Sequence, residues 1–352
     1  MKQTFVMSFT VILLAVSVML GVIYTGRAQN GAAVIGSPSS EVQASNYRLS
    51  GPFTHKNLSI YLIHGKDLIE GKTFLTLQEA LEQKKVVVYE TKSVNELSIE
   101  NLSNEDVYVQ SGDIVKGGQQ DRLLAIDLIV PPKSGKMPIA AFCVEQGRWS
   151  RRGSEQVAAF SSSNDVATTK DIKLAAKQSN SQSGVWQNVE VAQGKLSENL
   201  SVNVVSAASP SSLQLALENR KVQESVSGYT KTLAGIIKGK DDVVGYAFAI
   251  NGEVNSADVY VSSALFRKLW PKLLKANATE AIAELQKDLK FELVSVETVK
   301  AFLADAEAGK TSEKELTARV KLLTREDDKN ILFETQDRRE KGVWIHRNYI
   351  RK

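Results

Sequence analysis

The sequence predicts an α+β fold, with antiparallel β layers in the first half covered by helices from the second half. Three observations predict it. Between residues 47 and 144, short apolar and β-branched runs alternate with Gly, Pro, Asn and Asp punctuation, which is the pattern of hairpins. Later in the chain, apolar residues recur at helical spacing, most clearly Leu265, Leu269 and Leu273. The run 123–130 is apolar on both faces, so it needs cover on each side, and the later helices can supply it.

The elements follow in order. Lys2 precedes an uncharged apolar run, 5–24, and Gly26 and Ala28 place small residues at a cleavage site. That is a secretory signal peptide, 1–28, which exports the rest of the chain to the periplasm or the cell exterior. An uncleaved anchor over 5–24 is the alternative, because the run approaches the ~20 residues that span a bilayer. Residues 29–46, rich in Gly, Ala, Ser and Asn, read as a solvated linker. Everything from 47 to 352 reads as one composite domain. Residues 47–63 alternate as a strand, and 76–84 form a short helix with Thr76 and Glu79 at capping-box spacing. Strands follow at 86–89, 97–102 and 107–110. Runs 123–130 and 137–144 then flank the Pro131–Lys136 turn of a hairpin.

Composition changes after Trp149. Residues 151–184 are rich in Ser, Asn, Gln and Thr and read as a polar surface insertion, partly helical around 166–177. Helices are expected at 185–196 and 211–226, the latter after Ser209-Pro210. Strands 243–250 and 253–261 flank Asn251-Gly252, a type I′ turn dipeptide. A helix over 262–276 contains Pro271, which should kink it or start a second segment. Helices continue at 279–288 and 296–307. Short strands at 320–323, 331–335 and 343–345 lie in a charged tail, with Arg338-Arg339 and Arg351-Lys352 as solvated charges.

Composition narrows the function. The 352 residues are 43% hydrophobic and 24% charged, which is a globular balance. The net charge of +4 becomes +2 once Lys2 and Arg27 leave with the signal segment, too little to steer the chain to nucleic acid. A lone cysteine, Cys143, rules out an internal disulfide and any multi-cysteine metal site. His55, His64 and His346 show no metal-ligand spacing. No cofactor motif is present: Gly117-Gly118 lacks the spacing of a phosphate loop or a dinucleotide fingerprint.

The candidate site lies at the open end of the 119–148 hairpin. Symmetry about its turn would set Arg122 opposite Glu145 and Leu124 opposite Cys143. Arg122 offers a planar fork for carboxylate or phosphate, and Gln119 and Gln120 both donate and accept. Gln146 and Arg148 extend the cluster, Gly117, Gly118 and Gly147 allow close backbone approach, and Glu145 is a candidate general base. A cross-strand Arg–Glu pair is equally ordinary sheet chemistry. Asp113 fits a turn role, and Asp258 is a second binding candidate because it interrupts an apolar strand. Cys143, in an apolar strand, reads as a buried inert thiol. Trp149, Trp186 and Trp270 read as core packing ahead of ligand stacking.

These residues carry a resemblance. Gly112-Asp113, Gly118-Gln119-Gln120-Asp121-Arg122, Val130-Pro131-Pro132 and Cys143-Val144-Glu145-Gln146-Gly147-Arg148-Trp149 resemble the ARG and rhodanese-phosphatase-superfamily-associated protein domain. Asn251-Gly252, Ala257-Asp258 and Phe266-Arg267-Lys268-Leu269-Trp270 extend the likeness, which runs from about Tyr47 to Leu285. The resemblance implies nucleotide-like or phosphorylated ligands. Three functions follow: an exported domain binding a small polar ligand, nucleotide-like, phosphorylated or sugar, at the hairpin end; a hydrolase with Glu145 as base and Arg122 as anion holder; and an envelope interaction protein without a site.

Overall fold

The computed structural model describes residues 47–155, 157–340 and 343–352. The signal segment or anchor and the linker expected before residue 47 lie outside them. Among the described residues, seven α-helices and seventeen strands give the α+β class expected from the sequence.

The first half is β-rich. β1 (Arg48–His55) and β2 (Leu58–His64) form a hairpin where one strand was expected, because Lys56 adopts a φ of 51° and turns the chain. β3 (Leu75–Thr76) leads into α1 (Leu77–Glu82), whose Thr76–Glu79 capping box is formed as the spacing predicts. Seven strands follow: β4 (Val86–Ser93), β5 (Glu96–Asn101), β6 (Val107–Val109), β7 (Asp113–Gly117), β8 (Arg122–Leu124), β9 (Leu128–Val130) and β10 (Lys136–Cys143). Within the insertion expected as a surface excursion, β11 (Phe160–Val166) and α2 (Lys170–Lys177) are regular elements.

Helices dominate next. α3 (Gln182–Leu200) starts at a Ser181 cap. The single helix expected over 211–226 is two, α4 (Leu213–Leu217) and α5 (Arg220–Leu233). Ser212 and Asn219 each accept a hydrogen bond from the first turn that follows, so the chain restarts at Asn219. β12 (Val243–Ile250) and β13 (Glu253–Tyr260) flank the Asn251-Gly252 turn, both residues at positive φ. α6 (Ser263–Ala283) continues through Pro271 as one element and takes in the start of the helix expected at 279–288, so the proline does not begin a second segment. Leu269, Trp270, Leu273 and Leu274 are all buried there, and that packing outweighs one missing backbone hydrogen bond. α7 (Val296–Glu307) has the bounds expected of it.

The charged C-terminal segment is sheet. β14 (Lys310–Glu315), β15 (Val320–Glu326), β16 (Asn330–Asp337) and β17 (Val343–Arg351) extend well past the short strands expected. β17 pairs with β13 and β16 in an eight-stranded sheet ordered β1-β2-β12-β13-β17-β16-β15-β14. Arg351 closes that strand and donates to Asn330 Oδ1 at 3.0 Å, so it is not a tail charge.

A second sheet runs β11-β7-β8-β10-β5-β4, and a bridge between Tyr89 and Ala159 joins its two ends. Glu90 N–H also donates to Ala158 O at 3.2 Å. The six strands therefore close on themselves as a small barrel. A third sheet, β3-β6-β9, takes the second run of the expected hairpin strand away from β10. One core cluster unites the sheets, drawing Leu58, Val107, Leu124 and Ile139 together with Phe266 and Trp270 of α6.

Candidate functional site

Where the barrel strands end together, charges collect. Register sets the geometry. β10 pairs with β8 so that Cys143 faces Arg122 and Ala141 faces Leu124. The symmetric hairpin expected from the turn, with Arg122 opposite Glu145, is therefore wrong by two residues. The cause is the departure of β9 to the third sheet, which leaves the turn-proximal half of β10 paired with β5. A two-residue slip keeps every side chain on its own face, so the cluster still forms.

Arg122 is fully buried. Its Nη1 donates to the Cys143 sulfur, and its Nη2 lies 3.5 Å from both oxygens of Glu90 on β4. Glu90 also accepts the backbone N–H of Gln119 at 3.1 Å. Trp149 sits over the guanidinium at 5.5 Å and is itself 46% exposed, so it acts as a cover and not as core. Gly118 makes the approach possible: at a φ of 57°, a Cβ there would lie 2.4 Å from the Phe160 ring and 2.8 Å from Glu90 Oε2.

A second group adjoins the first. Glu145, with no exposure, accepts the backbone N–H of Asp121 at 3.3 Å. Arg148 reaches Glu145 at 2.7 Å, and Arg152 reaches Asp121 at 2.8 Å and Glu145 at 3.6 Å. Arg152 also holds Glu155 at 2.7 Å. Burial raises the Asp121 pKa against the pull of Arg152. Four atoms of this cluster are buried with neither a hydrogen bond nor a close ion contact of their own among the described residues: Arg122 Nε, Arg148 Nε, Glu145 Oε1 and Glu155 Oε2; Arg148 Nη2 is engaged by its ion pair with Glu145.

Not every expected residue joins. Gln120 is buried beside Asp121, whereas the Gln146 side chain is exposed and lines a separate cavity of about 360 Å³ with Trp186 and Gln193. Asp113 holds Lys272 of α6 at 2.7 Å and caps the backbone of Gln110, a structural role. Three participants had no signal strong enough to be singled out: Glu90, Arg152 and Glu155. The pair Arg151-Arg152, following Arg148 in a polar stretch, was the one hint.

A family model, the ARG and Rhodanese-Phosphatase-superfamily-associated Protein domain (ARPP-1), matches residues 46–350. The chain belongs to this family. The match extends through the C-terminal strands, beyond the reach of the resemblance in the sequence. No curated protein and no solved structure matches the chain.

The ARPP-1 domain keeps Asp258 elsewhere, in a buried chain of polar groups on the large sheet. His346 lies between two carboxylates, with Nδ1 3.1 Å from Asp127 and Nε2 3.0 Å from Asp258. Tyr246 and Asn348 donate to Asp258 at 3.0 and 2.8 Å, and Tyr260 stacks on the imidazole at 4.6 Å. Burial opposes charge on His346, but the two aspartates overcome it and raise its pKa. Burial likewise opposes the Asp127 carboxylate, and His346 and Lys177 hold its pKa well below the usual range. Among the described residues, no three His, Cys, Asp or Glu side chains are arranged to hold a metal ion. No helix among them is long and apolar enough to cross a membrane.

Cys143 is chemically quiet in the ARPP-1 domain. Burial pushes its thiol up to about 11, although Arg122 pulls the other way. The native protein will therefore resist iodoacetamide at pH 8, and alkylation will rise to completion in urea. Mass spectrometry gives both readings, and fast labelling of the folded protein would contradict them.

Proposed function

We propose that the ARPP-1 domain of this chain is exported and binds a small polar ligand at the mouth of the barrel, beneath the 146–155 loop. The observation that carries this reading is the set of orphaned polar atoms. Leaving a buried donor without a partner costs about 1–3 kcal/mol, more when it is charged. Two guanidinium N–H groups, Arg122 Nε and Arg148 Nε, and two carboxylate oxygens, on Glu145 and Glu155, bear that cost at one place. A nucleotide-like, phosphorylated or sugar ligand supplies acceptors for the guanidiniums and hydroxyl donors for Glu145. Trp149, half-exposed above Arg122, is placed to lie against a base or a sugar face. Ligand binding is favoured over hydrolysis because Glu145 is fully buried between two arginines, where it acts as an ion-pair partner.

A thermal-shift screen of nucleotides, phosphosugars and sugars tests the reading. Ligand at a hundredfold excess over its Kd adds about 2.7 kcal/mol of stability and raises the melting temperature by several degrees. Arg148→Gln and Glu145→Gln should abolish that rise while their own melting curves stay cooperative. The reading fails if no member of the panel shifts the wild type, or if both variants respond as the wild type does. Cleavage after Ala28 is checked by N-terminal sequencing of the protein recovered from its native compartment.

A further inference from the structure

At the C-terminal end of α6 lies a cavity of about 540 Å³, which shares no lining residue with the cluster above. Its inner wall is Glu280, only 2% exposed. One carboxylate oxygen of Glu280 is well held: Lys170 N–H donates to Oε1 at 2.9 Å, and Asn255 Nδ2 does so at 3.1 Å. The other, Oε2, is buried and makes no hydrogen bond among the described residues. Nature rarely leaves a buried carboxylate oxygen unsatisfied, because the desolvation penalty is then unopposed. Asp171 and Glu253 stand at the rim, both exposed and without an ion-pair partner among the described residues. Glu284, also in the wall, is already taken by Lys195 at 2.6 Å. Lys170 is the one lining cation left over, so the unpaired charge of the cavity is negative.

We propose that this cavity binds a linear aliphatic polyamine. One ammonium reaches Glu280 Oε2 at the base, and a second meets Asp171 or Glu253 at the rim. A metal ion fits less well, because no three carboxylates among the described residues converge on one point. Separated carboxylates match separated cations. Ile250, Val254 and Leu289 also line the cavity and suit a methylene chain. Burial raises the Glu280 pKa against Lys173 and Lys170, consistent with a carboxyl that lacks its own counter-ion.

Isothermal titration of the full chain with putrescine, spermidine, butylamine and magnesium chloride tests this. Putrescine or spermidine should bind, and butylamine should bind more weakly because it carries one charge. Glu280→Gln should weaken polyamine binding by about thirtyfold or more, the loss expected for one partner of a buried charged pair. Should that variant fold poorly, the surface double variant Asp171→Asn/Glu253→Gln provides a second measurement. It should weaken spermidine severalfold and leave butylamine unchanged. Absence of polyamine binding, equal affinity in Glu280→Gln and in the double variant, or magnesium binding that displaces spermidine from the cavity would each overturn the proposal.

Discussion

His346→Leu will lower the unfolding free energy by about 3–5 kcal/mol, because it strands two buried carboxylates without their shared cation. Asp127 and Asp258 are 2% exposed, and each gives one oxygen to the imidazole. Tyr108, Thr335 and the Ser111 amide also bind Asp127, so the aspartate cannot turn away toward solvent. The effect carries a pH signature. The His346 pKa is raised in the folded state above its usual 6.5, so its contribution is complete below pH 6.5 and is lost as pH rises through the folded value. Those of Asp127 and Asp258 are lowered from 3.8, so their contributions are complete above that pH and are lost as pH falls. Wild-type stability from this group is thus greatest between about pH 4 and 6.5. Urea titrations across pH 4–9 read it directly. A leucine variant with wild-type stability at pH 6 would contradict the account.

Arg319→Ala will do comparable damage for a different reason. Arg319, 6% exposed, sits between β14 and β15 and grips two carboxylates at once. It donates to Asp337 from Nε at 3.0 Å and Nη2 at 2.7 Å, and to Asp106 from Nη1 at 2.5 Å and Nη2 at 2.9 Å. Asp106 leads into β6 and Asp337 ends β16, so one guanidinium ties the small sheet to the large one. Alanine leaves the buried Asp337 without its cation and Asp106 with only Lys72, 3.2 Å away, at about 3–5 kcal/mol. At roughly 2–4 °C per kcal/mol, the melting temperature should drop by about 10 °C. Lysine will restore only part, since a single ammonium cannot reproduce the planar fork. A melting temperature within a degree of wild type would refute this.

Much of this was legible in the sequence, for physical reasons. Thr76 and Glu79 act within one turn of helix, so their spacing alone announced the capping box. Asn251-Gly252 demanded a tight turn because both residues accept positive φ. The cluster of Gln119, Gln120, Arg122, Glu145 and Arg148 was visible because polar residues crowd beside apolar strands. What could not be read was long-range pairing. Nothing in residues 122–130 shows that β9 leaves for another sheet, so the register came out two residues wrong. Glu90 enters the site from a strand 32 residues before Arg122, Arg152 from an aperiodic loop whose spacing carries no signal, and His346 meets Asp127 across more than two hundred residues. Pro271 misled for a related reason: local backbone preference is weak against burial of the helix on nearly every side.

The closed barrel decides where any rearrangement at its mouth must occur. A bridge from β4 to β11 closes the floor, and Glu90, Arg122 and Cys143 each lie in a paired strand of it. Arg148, Trp149, Arg152 and Glu155 all ride on the one irregular segment above them. The entropy lost when a guest is taken in therefore falls on that segment, and the floor is already organised when the guest arrives. Affinity would then be tuned by shortening or stiffening the roof, without touching a single residue of the barrel.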